Sequence, residues 1–262
     1  MTNQAGAAQK LWALEGAYIT DQRAALVAGE SGPVVIPYPS FLIQHEQGLV
    51  LVDTGLVPAA AKDARAGYGE LADQLKMVFR EEHTVDRQIQ ALGFKLSDVG
   101  HVIISHLHFD HTGGMYLFPH AQFYVMSGEL QYAYWPAKAG PLFRREDIEP
   151  TREFAWNQIE GEEFDLFGDG AIRMIHMPGH TPGNSSVMVR LASRMLLLSM
   201  DTTHLRSGYD RDIPMPSNYN TLDSVRSIRR LRQLSRGVNT ALWITHDPDD
   251  WKRFKHAPEF YE

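Results

Sequence analysis

The chain has 262 residues, 44% of them hydrophobic, enough for one sizeable core in a single α/β unit spanning residues 1–262. It has no cysteine, which excludes disulfides and thiolate metal sites, so any metal must be held by His, Asp, Glu or water. A formal charge of −7 argues against a polyanionic partner such as nucleic acid, and no apolar run approaches the roughly 18–20 residues that span a bilayer.

Residues 1–10 are polar and alanine-rich and lack the apolar core of a signal peptide, so a cytoplasmic location is expected. Leu49-Val50-Leu51-Val52 is the first short apolar run, and it ends at Asp53-Thr54-Gly55. Residues 57–82 are irregular, rich in Gly, Pro and charge around bulky side chains, as loops that form lids or substrate walls are. Val85, Ile89 and Leu92 then recur at helical spacing, with Thr84 placed as N-cap. Val102-Ile103-Ile104 ends at Ser105-His106, and a second irregular stretch covers residues 136–161. Beyond it, apolar runs at 172–177, 195–200 and 241–245 end at Pro178-Gly179-His180, Asp201 and His246. Between the last two, a helix over about 221–235 is predicted. Arg226, Arg229, Arg230, Arg232 and Arg236 form its solvated face, opposite Leu222, Val225, Ile228, Leu231 and Leu234. Short continuous apolar runs suit strands buried on both faces, and their alternation with helices predicts sheets flanked by helices. Ligands gather at the carboxyl ends of such strands, and all five ends here carry groups capable of chemistry.

His106-Leu107-His108-Phe109-Asp110-His111 concentrates three imidazoles and a carboxylate directly after one of these strands. Imidazole and carboxylate suit zinc, manganese or iron, and four such groups exceed what one open catalytic site takes, so the spacing suggests two metals. In an extended segment His106, His108 and Asp110 share a face, and the chain is expected to turn at His111, where Gly113-Gly114 allow it. Two metal shells need more ligands. His180, Asp201 and His246 stand at equivalent strand ends and are the candidates to supply them.

The series His106-x-His108-x-Asp110-His111, His180, Asp201 and His246 resembles the metallo-β-lactamase superfamily over nearly the whole chain. Asp53-Thr54-Gly55 and Pro178-Gly179-His180-Thr181-Pro182-Gly183 fit it too. The resemblance implies an αβ/βα four-layer sandwich, two mixed sheets flanked by helices. It assigns His106, His108 and His180 to one metal and Asp110, His111 and His246 to the other. Asp201 would bridge the two, and Asp53 would orient a ligand from behind. The implied cofactors are two divalent ions, zinc first, with iron, manganese or cobalt as alternatives.

Within the superfamily the chain is most similar to the N-acyl-homoserine lactonases, quorum-quenching enzymes. The similar stretches are residues 105–114, His246-Asp247-Pro248-Asp249, residues 257–261 and the early residues 36–43. That resemblance implies a small lactone substrate with an acyl chain, a homodimer, and ring opening to the N-acyl-homoserine. Ring opening would proceed through attack of a hydroxide shared by the metals, with Asp110 carrying the proton to the departing ring oxygen. One position departs from the pattern. Where many of these lactonases have a tyrosine three residues after the bridging Asp, this chain has His204. His204 could donate to a developing oxyanion or be an exposed loop residue. Met115, Tyr116, Phe118, Tyr132, Tyr134, Trp135, Phe143 and Trp156 are candidate acyl-chain walls, most of them equally readable as core. The alternatives on the same scaffold are a lactonase for another ring, a glyoxalase II-type thioesterase and an iron-dependent oxidoreductase.

Overall fold

The apolar runs become strands of two sheets in the computed structural model, which describes residues 6–137 and 142–262. The first sheet takes, in spatial order, β1 (Lys10–Gln22), β2 (Pro33–His45), β3 (Gly48–Val52), β4 (Val99–Ile103), β5 (Gln122–Met126) and β6 (Ala155–Ile159). Its first three strands are antiparallel, and β3 to β6 run parallel. The second sheet contains β7 (Glu163–Asp165), β8 (Ile172–His176), β9 (Ser185–Arg190), β10 (Met195–Leu198) and β11 (Thr240–Trp243). These lie in the order β11-β10-β9-β8-β7, and only β10 and β11 are parallel. Both sheets are therefore mixed, as expected.

Side chains alternate across a strand, so each sheet presents two faces and both are apolar. Phe41 and Ile43 of β2, Val50 and Val52 of β3 and Ile103 of β4 face inward. They share one buried cluster with Met174, Val187, Val189, Leu196, Leu198 and Trp243 of the second sheet. Their neighbours Leu42, Leu49, Leu51, Val102 and Phe123 face outward and pack with Val85 and Ile89 of the helix Val85–Ala91. On the far side Ile175, Met188 and Leu197 pack with Ile228 and Leu231 of the helix Thr221–Leu234. Helix, sheet, sheet and helix are the four layers.

Local detail differs from expectation in several places. Thr84 holds the N-cap position, but its Oγ1 donates to the Glu81 carbonyl at 2.9 Å instead of accepting from the helix. The helix Thr221–Leu234 is capped by Asn220, whose Oδ1 accepts from Leu222 N and Asp223 N at 3.0 and 3.2 Å. Leu222 is 71% exposed, so Ser224 and Ser227 complete the buried stripe in its stead. The arginine face is ion-paired: Arg229 and Arg232 reach Asp212, and Arg230 reaches Glu163. Residues 57–82 contain short helices at Pro58–Ala61, Ala64–Tyr68 and Glu70–Gln74. Residues 136–161, of which 138–141 lie outside the described residues, contain a helical turn, Arg145–Ile148, and all of β6. Residues 1–5 also lie outside, and Lys10 opens β1. Among the described residues no helix is long and apolar enough to cross a membrane.

Two glycines let loops approach backbone that a side chain would block. A Cβ at Gly113 would sit 2.0 Å from Val57 N. At Gly179, where φ is +137°, it would sit 2.3 Å from Ser224 N at the start of the long helix. Gly179→Ala is expected to lower unfolding free energy by roughly 1–3 kcal/mol through overlap and backbone strain. Urea denaturation checks this, and an unchanged midpoint would contradict it.

Candidate metal centre

The chemistry-bearing residues converge at one edge of the sandwich because they follow the carboxyl ends of strands from both sheets. Asp53 follows β3, His106 follows β4, Asp201 follows β10 and His246 follows β11, while His180 lies in the turn after β8. The chain does not stay extended through His106, His108 and Asp110. His108 is the N-cap of a short helix, Phe109–Thr112, so the turn comes three residues earlier than expected. That helical turn places the His111 ring beside His106, with centroids 4.2 Å apart, while its Nε2 and the Asp110 carboxylate gather with His246 in a second group.

The result is two groups of donors. His106, His108, His180 and Asp201 each offer an atom within 4.8 Å of the others, and so do Asp110, His111, Asp201 and His246. All are buried. Asp201 belongs to both groups and divides its oxygens between them. Its Oδ2 lies 3.6 Å from His106 Nε2 and 3.3 Å from His180 Nε2. Its Oδ1 lies 3.3 Å from His111 Nε2 and 2.9 Å from His246 Nε2. All seven residues singled out in the sequence are thus brought together, in the grouping the resemblance implies.

A ring of hydrogen bonds aims these donors. Asp53, in the left-handed region at φ +55°, accepts from Ser105 N and Ser105 Oγ at 2.7 Å and from His111 Nδ1 at 2.6 Å. His111 therefore presents Nε2 to the cluster. His246 Nδ1 donates to the Pro37 carbonyl at 2.7 Å, which turns its Nε2 inward. Burial, reinforced by neighbouring imidazoles, pushes His106 and His180 well down, and burial takes His108 to about 4. These three rings are neutral near pH 7. For Asp201, burial opposes ionisation, yet His246, His111 and His204 hold the carboxyl well below its usual range. Asp110 is lowered too, with burial outweighed by His111. His111 is raised despite burial by Asp110, Asp53 and Asp201, and His246 is raised despite burial by Asp201.

Metal ligation requires neutral imidazoles and ionised carboxylates, so His106, His108, His180, Asp110 and Asp201 are already in the ligating state. His111 and His246, held toward the protonated ring by the carboxylates, would release a proton when a cation binds. The protein groups alone do not satisfy one another. His106 Nε2 and His180 Nε2 both point at His108 Nδ1, at 3.0 and 2.9 Å, although a neutral ring has a single N–H. Among the described residues His111 Nε2 is buried without a hydrogen bond, and carboxylate oxygens of Asp110 and Asp201 stand 3.2 and 3.3 Å away. The residues fit divalent metal ions.

His204 is 6% exposed, so it is not an exposed loop residue. Its Nε2 lies 3.0 Å from Asp201 Oδ2, its ring stacks on His246 with centroids 5.4 Å apart, and its Nδ1 is buried without a partner. Of the candidate wall residues, Met115 and Phe118 are core behind the first sheet, and Trp156 packs against it. Phe143 lies edge-on to His108 at 4.6 Å and touches Tyr132 at 5.5 Å. Tyr116 and Trp135 are exposed. Sequence reasoning missed Tyr219, which packs on Tyr132 at 5.0 Å and donates its backbone N–H to the His180 carbonyl. It also missed Glu129, fully buried between the ligand-bearing turns. Neither stands in a motif.

Known proteins agree with this architecture. The N-acyl homoserine lactonase AttM of Rhizobium radiobacter is 35% identical over 237 residues, covering 89% of this chain and 90% of its own. The N-acyl homoserine lactonase of Bacillus cereus is 26% identical over 227 residues, covering 86% and 87%. A solved structure of an N-acyl homoserine lactone hydrolase, with N-hexanoyl-L-homoserine bound at its catalytic metal centre, has the same fold. It superposes with a TM-score of 0.85 at 22% identity, over 97% of this chain and 100% of that one. Residues 34–237 match the family described as the metallo-beta-lactamase superfamily. Since that match runs from β2 to beyond the helix Thr221–Leu234, the chain belongs to the metallo-beta-lactamase superfamily.

Proposed function

We propose that this protein is a two-metal lactonase that opens N-acyl-homoserine lactones to N-acyl-homoserines, a quorum-quenching activity. The observation that carries this reading is the division of Asp201 between two four-donor groups. It joins the likeness to relatives whose name states that activity. His106, His108 and His180 would hold one ion, Asp110, His111 and His246 the other, and Asp201 both, with zinc the metal the donors suit best.

Bound there, the ions would supply Lewis acidity and an activated water. The residues divide the remaining work. Of the two buried carboxylates in the donor groups Asp110 is the more accessible, its side chain 8% exposed against 4% for Asp201, which supports giving it the proton-carrying role. It takes the proton of the attacking water as the new C–O bond forms. It then returns that proton to the ring oxygen as the lactone C–O bond breaks, so the alcohol leaves neutral. The carboxylic acid formed ionises, releasing one proton per turnover near neutral pH. His204, whose Nε2 lies 3.0 Å from Asp201 Oδ2, is the donor we assign to the carbonyl oxygen as charge builds there. Phe143 and Tyr132, beside His108, offer the acyl chain an apolar wall and help exclude water.

Elemental analysis of the purified protein should find about two divalent ions per chain, and a pH-indicator assay should register acid release from acyl-homoserine lactones. Chelation should abolish both. Turnover of a glutathione thioester with none of any lactone would refute the lactonase reading. Asp110→Asn should lower kcat by at least about 10²-fold while most of the metal is retained. Unchanged turnover would remove Asp110 as proton carrier. His204→Ala should slow turnover on the order of 10²-fold if it meets the oxyanion. Wild-type kinetics in that variant would assign the ring to packing alone.

A further inference from the structure

One buried carboxylate belongs to neither donor group. Glu129 opens the helix Glu129–Tyr134, just beyond the end of β5, after Gly128 in the left-handed region at φ +88°. It is wholly buried, and burial raises its pKa. Its two oxygens go to two different loops. Oε1 accepts from Leu107 N, the amide between His106 and His108, at 2.9 Å. Oε2 accepts from Gly183 N, three residues past His180, also at 2.9 Å. The approach is close enough that a Cβ on Gly183 would lie 2.5 Å from the Glu129 Cβ and 2.9 Å from the Met126 carbonyl. The second glycine of Pro178-Gly179-His180-Thr181-Pro182-Gly183 is therefore what lets the carboxylate reach this turn.

A carboxylate removed from water costs several kcal/mol unless its oxygens are met, and here backbone amides meet them. Those amides belong to the turns that present three of the four donors around one pocket. We infer that Glu129 is a positioning residue, holding the turns of His106, His108 and His180 at ligating separation before a cation arrives. The inference rests on the metal reading proposed above. It adds that the three-histidine half of the centre is pre-formed by the protein and not assembled by the ion.

The test uses the metal-loaded full chain. Glu129→Gln keeps the shape but turns one oxygen into an N–H₂ facing an N–H, so one turn loses its acceptor. Transfer of the metal to a chromogenic chelator should then become about 10–100-fold faster, the usual cost of losing a group that orients a ligand. Ile89→Ala, in the outer helix, is the control for stability loss alone and should release metal at nearly the wild-type rate. Release from Glu129→Gln within twofold of wild type, or equal to the control, would overturn the inference.

If Glu129→Gln does not fold, hydrogen exchange on the wild-type chain decides. The Leu107 and Gly183 amides should stay protected after the metal is stripped. Exchange at open-loop rates in the stripped protein would show that the ion holds the turns, and would also overturn it. Complete absence of bound metal would instead defeat the proposed function, and amide protection would still judge Glu129.

Discussion

Phe41, Val50, Val52 and Ile103 of one sheet and Met174, Val187, Leu196 and Leu198 of the other are buried together, and the site depends on that shared interior. None of these side chains is near the chemistry by type. Their effect is geometric. Two sheets pressed face to face must keep their strands in register along the common core, so the carboxyl ends of β3, β4, β10 and β11 lie along one edge. The functional residues are those that directly follow these ends, where the backbone has left the ladder and polar side chains can turn inward.

The price of that arrangement is electrostatic. Asp53, Asp110, Asp201 and the imidazoles of His106, His108, His111, His180 and His246 are taken out of water within a few ångströms of one another. Buried unpaired groups of this kind are costly, and the structure limits the cost by giving each a directed partner. Asp53 collects three donors, His246 is held by a backbone carbonyl, and Glu129 collects two amides. His111 Nε2, which has no hydrogen-bond partner among the described residues, points into the cluster. An array that is strained when alone and relaxed by positive charge is an array prepared for cations.

Much of this was legible in the sequence because it is carried by local signals. The apolar runs marked β3, β4, β8, β10 and β11, and the ligand-type residues at their ends are the seven that the fold brings together. The reversal at His108 was not legible, since alternation assumes an extended chain and the short helix Phe109–Thr112 is imposed by packing. Residues 136–161 read as loop because β6 is only partly buried and Asn157-Gln158 interrupt its short apolar stretch. His204 is an ordinary residue until the fold stacks it on His246. Glu129 and Tyr219 act through partners distant in sequence, the first through Leu107 and Gly183, the second through Tyr132 and His180. A single sequence does not encode such meetings in any motif.

The two donor groups also share a pattern of origin. His106 and His108 come from the first sheet, and His180 and Asp201 from the second. Asp110 and His111 come from the first, and Asp201 and His246 from the second. Each group is thus two and two, so a cation bound by either one fastens the halves of the sandwich across their common edge. In a chain that has no cysteine, this is the work a disulfide does elsewhere. A single ion held there would tie residues as far apart in sequence as Asp110 and His246, and would make the chain between them a closed loop. A loaded centre would be a reversible cross-link as well as a place for chemistry.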